Sequence, residues 1–598
     1  MNKLKTIFLL FLITQVSFAT IRYVSKTGSS TPPYTSWETA SDSIQKCINI
    51  CVDGDTVIVA NGVYKEVLVV NVVLTLIGSS MDSCIIDGTG LNSTYPNSEG
   101  VTIIVLKNLI ISNLNLIGKG AQISLSQVLA SIKNSSDLTV HNCRVSNAIG
   151  GIGSIGGKST ITNVIFYNNR IDLSNYRGNN PDTSLITNCI FIKPQKYGNA
   201  IQEIEGNTLI ENNILLALGT NNEYGIDLIY PNIKLIKNNI ISNYNLHNID
   251  ITDYIGDTVI IENNNIGYSN SENYLTGGGI WQPTGNPKLS IRNNIIFKNR
   301  NSVNGNGPEK HRTDYNIYWK NTNNVPGTLI LGEHDIIANP MFVKDDTIPG
   351  YPYNFDFHLQ KYSPATDAGD PNILDADGSR SDIGMYGGPE GEIYQYIDLP
   401  PSIPKNFKIR LSNDSDKVEI NWDYNTEADF SYYKIYRDTI PDFNCDSTTL
   451  YTTTDSSLLT DYLGYLKKLF YKITSVDNQG NESYSGETIS INLTGMKDSG
   501  IKILSDYLLY QNYPNPFNPE TKIVYSLKDK GYVKLMVYNL LGELMHVLVN
   551  EEKEAGTYEA NVRFDQSISS GIYLYRIEVI GENNIPKFSD LKKMIFIK

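Results

Sequence analysis

"TLIENNILLA" at residues 208–217, "KLIKNNIISN" at 234–243, "TVIIENNNIG" at 258–267 and "LSIRNNIIFKN" at 289–299 are versions of one phrase. Each is a short apolar, largely β-branched run alternating with polar residues and broken by asparagine. That pattern is too brief for a helix and reads as a strand that must turn. Upstream copies are "LIISNLNLIG" (109–118), "LTVHNCRVSN" (138–147), "STITNVIFYNN" (159–169) and "SLITNCIFIK" (184–193). The first shared asparagines are Asn113, Asn142, Asn163, Asn188, Asn212, Asn238, Asn263 and Asn293, spaced 21 to 30 residues apart.

A period of this size with short strands means a parallel β-solenoid, each coil about 4.8 Å above the last, with equivalent residues stacked in columns. Asparagine at the turn can adopt the left-handed conformation and hydrogen-bond its stacked neighbours through the side-chain amide. The column is therefore read as a structural device. Cys143 and Cys189 fall in one column with the coil of Val164 between them. Two coil rises of roughly 9.6 Å exceed the roughly 7 Å a disulfide spans, so both are expected to be free, buried thiols. Six cysteines in 598 residues are no disulfide framework, and Cys47 with Cys51 or Cys84 is the pairing worth checking.

A solenoid must close its ends, because an open end exposes core and strand edges. In "WETASDSIQKCINIC" (37–51), Ala40, Ile44, Cys47, Ile48 and Cys51 share one helical face, which suits an N-terminal cap. Further upstream, "MNKLKTIFLLFLITQVSFA" (1–19) has Lys3 and Lys5, an apolar run and a small-residue cleavage site, the pattern of a signal peptide cut after Ala19. No other segment approaches the roughly 20 apolar residues of a membrane span. The net charge of −14, without a basic block, argues against nucleic acid or an anionic membrane as partner.

Tyr23 to Val70, with "GDTVIVANGVYKE" after the capping helix, resembles the opening of right-handed parallel β-helix proteins of the pectate-lyase-like superfamily. Phe357 to Gly391 resembles the closing segment of a bacterial branch of it. The resemblance covers residues 20–391 and implies a fold shared by polysaccharide lyases, glycoside hydrolases, epimerases and non-catalytic adhesins. Residues 401–493, with Trp422, the Tyr433–Arg437 run and the Asp477–Ser483 turn, resemble a fibronectin type III domain, a module that spaces or binds. Residues 506–598, with "NYPNPFNPETKIVYSL", "VKLMVYNLLGELM", "EAGTYEANVRF" and "SSGIYLYRIEV", resemble the type A sorting domain of the type IX secretion system. The fold class expected is all-β: a right-handed parallel β-helix followed by two small β-sandwich domains. The sorting resemblance implies export through the periplasm to the outer-membrane surface or beyond, with the secretion machinery as partner. The prolines of "YQNYPNPFNPET" (510–521) read as an extended, non-pairing lead-in to the last sandwich.

Recognisable catalytic motifs do not occur. The six histidines are scattered, and there is no His-Glu-x-x-His, Cys-x-x-Cys or P-loop. The stacked Asn-Thr-Asp, Asp-Asp and Gly-His-Gly motifs of the superfamily's polygalacturonases, and the Arg-x-x-Arg-x-Pro of the main pectate lyases, do not occur either. Coil register yields a candidate instead. Aligning Ile201, Ile226, Ile249 and Ile280 as inward residues puts Gln202, Asp227, Asp250 and Trp281 in one outward column, with Asp227 and Asp250 roughly 5 Å apart. The two carboxylates could share a proton, hold calcium, or act as nucleophile and acid on a sugar, with Gln202 and Trp281 as substrate contacts and Trp281 as stacking platform. They could equally be solvated residues on a polar face. Tyr224, Tyr230, Tyr254 and Tyr274 flank the column. A second acidic run, "DADGSRSD" (375–382), makes Asp375, Asp377 and Asp382 candidate calcium ligands or turn caps. No cofactor other than calcium is suggested. The functional expectation is polysaccharide binding or processing outside the cell, by a lyase- or hydrolase-like site if catalytic, and the alternative is a non-catalytic adhesin or stalk.

Overall fold

The computed structural model describes residues 19–598 except 92–101, 119–131, 135–136, 177–181, 195–197, 205, 219–222, 230–233, 253–257, 270–277, 283–287, 306–310, 327–328, 346–354, 413–416, 463–467, 493–506, 513, 566–567, 582–585 and 598. Residues 1–18 of the signal-peptide segment and Tyr230, Tyr254 and Tyr274 lie outside the described residues. The chain divides into two compact units, Met1–Ile397 and Asp398–Lys598.

In the first unit each coil gives one strand to each of three parallel sheets, a right-handed parallel β-helix. Among the described residues sheet I has 13 strands, sheet II has 12 and sheet III has 10. One coil runs through Asn207–Glu211 in sheet I, Ile214–Ala217 in sheet II and Tyr224–Ile229 in sheet III. Register holds from coil to coil, so alternation along each strand becomes a column across the sheet. Ile161, Ile186, Ile210, Ile236, Ile261 and Ile291 pair in sequence, and each is at most 2% exposed.

The bend between sheets I and II is made by the first asparagine of each repeat. All eight have φ between 51° and 56°, the left-handed region that asparagine tolerates better than other non-glycine residues. The amide ladder, however, is built by the residue that follows. Asn213, Asn239, Asn264 and Asn294 each donate through Nδ2 to the Oδ1 of the next coil, at 2.9, 2.9, 2.9 and 3.0 Å, ending on Asn316. Asn316 passes the bond to Asp335 at 2.9 Å. In earlier coils the same position holds Leu114, Cys143, Val164 and Cys189, all buried. The single asparagine column expected from sequence is thus two columns: one bends the chain, the next bonds the coils. Cys143 and Cys189 are free, as are the other four cysteines, and burial pushes both thiols up to about 12.

Charge is also buried inside the helix. Lys193 Nζ reaches Asp172 Oδ2 at 3.2 Å and the carbonyls of Asn169 and Arg170 at 2.8 Å. Lys234 Nζ lies 3.3 Å from Glu203, whose carboxylate also accepts from Asn175 and Thr208. All four charged side chains are fully buried, and such pairs persist only when each remaining lone pair and proton finds a partner.

The N-terminus is covered by the helix Ile44–Ile48. Ala40, Ile44, Cys47, Ile48 and Cys51 are at most 8% exposed. Glu66 caps the helix, accepting from the Ile44 and Gln45 amides at 3.0 and 2.9 Å and from Ser43 Oγ at 2.7 Å. The segment after residue 356 runs back along the bend asparagines: Asn238 Nδ2 donates to the carbonyls of Met385 and Gly387, Asn263 Nδ2 to that of Asp382, and Asn293 Oδ1 accepts from the Asp370 amide. Phe342, Phe357, Leu359 and Ile383 cluster there with Leu216, Ile240, Ile295 and Phe297 of sheet II.

Among the described residues the second unit holds two antiparallel sandwiches, each of three strands on four. Trp422, Tyr433, Ile435, Tyr471 and Ile473 fill the core of the first. In the second, the proline stretch is no detached lead-in. Phe517 is 2% exposed in the core, its amide donates to Ile595 O at 2.9 Å, and its carbonyl accepts from the Ile597 amide at 3.0 Å. Leu508–Leu509 already pairs with Glu520–Leu527. Prolines occupy positions where no ladder donor is needed, while the residue between them plugs the sandwich.

Candidate functional site

Sheet III carries the column expected from the repeat. Gln202 pairs with Asp227, Asp227 with Asp250, and Asp250 with Trp281. Exposure is where expectation and structure part. Asp227 is 5%, Asp250 2% and Trp281 7% exposed, so this is an enclosed cluster and not a solvated polar face.

Asp227 Oδ2 accepts from Asn199 Nδ2 at 2.8 Å and Gln202 Nε2 at 3.0 Å. Asp250 has His247 Nε2 at 3.8 Å as its charged-type neighbour. The His247 ring stacks on Trp281 at 5.0 Å between centroids and on Tyr224 at 5.8 Å. Tyr224 and His247 occupy paired positions on adjacent strands, as Asp227 and Asp250 do, so an aromatic row runs beside a carboxyl pair. His247 was not singled out from sequence. Its signal was present in the phrase "HNIDITDYI", where the histidine stands three residues before the aspartate.

The electrostatics follow from burial. Desolvation lifts Asp250 to about 8, and the Asp227 charge adds to this. Desolvation lifts Asp227 to about 6; the Glu223 charge raises it further, while the Gln202 and Asn199 amides pull it down. Burial alone pushes His247 down to about 3, and its Nδ1 has no hydrogen-bond partner among the described residues. Near neutral pH the site therefore holds one protonated carboxyl, one largely ionised carboxylate and a neutral imidazole. That set can donate and accept at neighbouring positions, as acid–base chemistry or recognition of adjacent hydroxyls requires.

The other acidic run is arranged as turns. Asp375 accepts from the amides of Asp382 and Gly388, Asp377 from the amide and hydroxyl of Ser379, and Asp382 from the Asp367 amide and the Tyr396 hydroxyl. Burial raises Asp382 to about 7. These three carboxylates do not converge on a point. Among the described residues, the set of carboxylates that does is Asp398, Asp429 and Asp477, which the sequence reading did not mark.

Among solved structures the chain is similar to pectate lyase Pel9A, at 16% identity over 62% of this chain and 97% of that one, with a TM-score of 0.34. It is similar to the PL6 family alginate lyase AlyGC, at 12% identity with a TM-score of 0.26; the match covers 50% of this chain and about half, 53%, of that one. XylC in complex with xylose matches at 11% identity over 80% of this chain and 99% of that one, with a TM-score of 0.34. No match is found among curated proteins. Residues 511–589 match the family described as the secretion system C-terminal sorting domain, which makes the terminal sandwich a signal for export to the cell surface or medium.

Proposed function

We propose that this is an exported polysaccharide-binding protein whose recognition centre is the Asp227–Asp250 pair with the Tyr224–His247–Trp281 row on sheet III. The observation that carries the reading is the enclosed pair itself. A solenoid gains no stability from desolvating two carboxyls on adjacent strands, so their retention points to use. A protonated Asp250 and an ionised Asp227 suit a pair of sugar hydroxyls, and Trp281 suits an apolar sugar face. In the catalytic form of the reading, Asp250 protonates the leaving oxygen and Asp227 serves as base or nucleophile, at a strand spacing of about 4.8 Å. The type IX machinery delivers the protein, an N-terminal signal peptide starts that route, and the first sandwich is a fibronectin type III spacer.

Affinity electrophoresis of the full mature chain against a panel of acidic and neutral polysaccharides, with assays for reducing ends and unsaturated products, tests this. Binding to a glycan is expected, with a loss of about tenfold or more, roughly 1.4 kcal/mol, in Asp227→Asn and Trp281→Ala. A non-catalytic stalk or adhesin is the second reading. The finding that the hydrogen-bond partners of Asp227 are the protein's own amides, Asn199 Nδ2 and Gln202 Nε2, favours it. Absence of binding and turnover across the panel would establish the stalk in place of the glycan reading.

A further inference from the structure

The Asp227–Asp250 centre offers acceptors and lacks cations. Its carboxyls and rings come from strands Tyr224–Ile229, His247–Thr252 and Gly278–Gln282 of sheet III. These strands and the segments flanking them, residues 218–233 and 238–287, contain no lysine or arginine, in a chain that carries 49. Lys193 and Lys234, on neighbouring coils, are held inside the helix by Asp172 and Glu203. Lys196, on the coil of Gln202, lies outside the described residues, and Arg300 stands before strand Asn301–Gly305, one coil beyond Trp281.

Polar atoms left without a partner show what a ligand must bring. His247 is 4% and Asn199 5% exposed, yet His247 Nδ1 and Asn199 Oδ1 have no hydrogen-bond partner among the described residues. Asn199 gives its Nδ2 to Asp227 Oδ2 at 2.8 Å, which holds its amide against the carboxyl pair. Gly278, paired with His247 on the next strand, sets no side chain against Nδ1; a Cβ there would stand 3.7 Å away. Buried polar atoms of this kind are met by a ligand or by water. An amide oxygen and a carboxylate only accept, so whatever meets them must carry hydrogens. A hydroxyl does so, and can accept from a protonated Asp250 in turn. A uronate has hydroxyls too, but its carboxylate has no hydrogen to give and sets a further negative charge beside Asp227. A protonated amino sugar is not called for either, because Asp227 Oδ2 already accepts from both Asn199 and Gln202.

We propose, resting on the glycan-binding reading above, that the sheet III site takes an uncharged polysaccharide, recognised through hydroxyls and an apolar ring face, and rejects polyuronates. The stacked Tyr224–His247–Trp281 row supplies the surface for the ring face. Burial keeps Asp250 protonated and His247 neutral near neutral pH. The charges that remain are negative, Asp227 and beside it Glu223. Like charges brought together in an enclosed site are a strong means of rejecting the wrong partner.

Affinity electrophoresis of the full mature chain tests this on uncharged polymers (xylan, mannan, β-glucan and highly methyl-esterified pectin), on polygalacturonate and alginate, and on chitosan. Runs in about 0.15 M and roughly 0.5 M salt, with and without calcium, separate the sources of repulsion: the higher salt screens the net charge of −14 and leaves contact repulsion inside the site. At least one uncharged polymer is expected to retain the chain in both salts, with polyuronates bound about tenfold or more weakly. Asp227→Asn keeps the shape and removes the charge, so it should bind the uncharged polymer more weakly and narrow that ratio. Polyuronate bound as tightly as the uncharged polymers, with or without calcium, or chitosan bound more tightly, would overturn the inference and leave the glycan reading standing. A ratio left unchanged by Asp227→Asn would place the selectivity elsewhere and overturn it too. No retention by any polymer would overturn both.

Discussion

Asp250 keeps its proton up to about pH 8, against 3.8 for an exposed aspartate, because ionising it means placing charge where water cannot reach. Between those values the folded chain holds a proton that the unfolded chain has released. Its contribution to stability is therefore full below about pH 4 and lost as pH rises through 8. Asp227, raised to about 6, acts in the same direction over a narrower window. His247 acts oppositely: its folded value of about 3 lies under the ordinary 6.5, so its contribution is present above 6.5 and lost as pH falls towards 3. Asp250→Asn keeps the shape and removes the titration. Urea unfolding of the full chain, followed on the β-helix transition, should show the variant level with wild type near pH 4 and more stable at pH 9. Parallel curves across that range would mean that Asp250 titrates normally.

At the scale of elements, adjacent asparagines in one phrase do unlike work. Asn263 sits at φ 53° and Asn264 bonds coil to coil. The repeat announced asparagine at the turn but could not divide the roles, because two neighbouring amides look alike until the backbone angle is known. Asn264→Ala removes the acceptor of the Asn239 backbone amide and the amide donor to the Ile236 carbonyl, while Asn239 Nδ2 keeps the Ile210 and Lys237 carbonyls, and should cost about 2 to 3 kcal/mol in denaturant unfolding. Cys189→Ala, in the apolar half of the same column, should cost only about 1 kcal/mol. Equal costs would show that the ladder contributes no more than its volume. The bend asparagines also receive the returning segment at Asn238, Asn263 and Asn293. No periodicity marks that contact, since its partners lie more than 70 residues away.

For the molecule as a whole, the terminal sandwich decides where the chain goes. Phe517 packs against Phe564 and Phe596, so the proline stretch and the last strand stand or fall together. A chain lacking residues 507–598 is expected to stay in the periplasm. Fractionation of cells with immunoblotting reads this directly, and unchanged appearance at the surface or in the medium would remove the export role from this domain. The first unit is ordered along its axis like other solenoids, each coil contacting its neighbours, and in the second unit the strands of each sandwich pair antiparallel.

The sequence by itself determined the repeat, the alternation within each coil and the column that places Asp227 beside Asp250. These are local patterns, and a strict register turns local pattern into a stacked array. The motifs of the last sandwich were equally legible. Only the tertiary structure decided that the column is enclosed, that His247 joins it, that the tail of the first unit runs back along sheet II, and that Asp398 meets Asp429 and Asp477. Each of those depends on which surfaces cover one another. Burial in turn sets which carboxyls keep their protons, and it is a property of the folded chain that no stretch of residues carries alone.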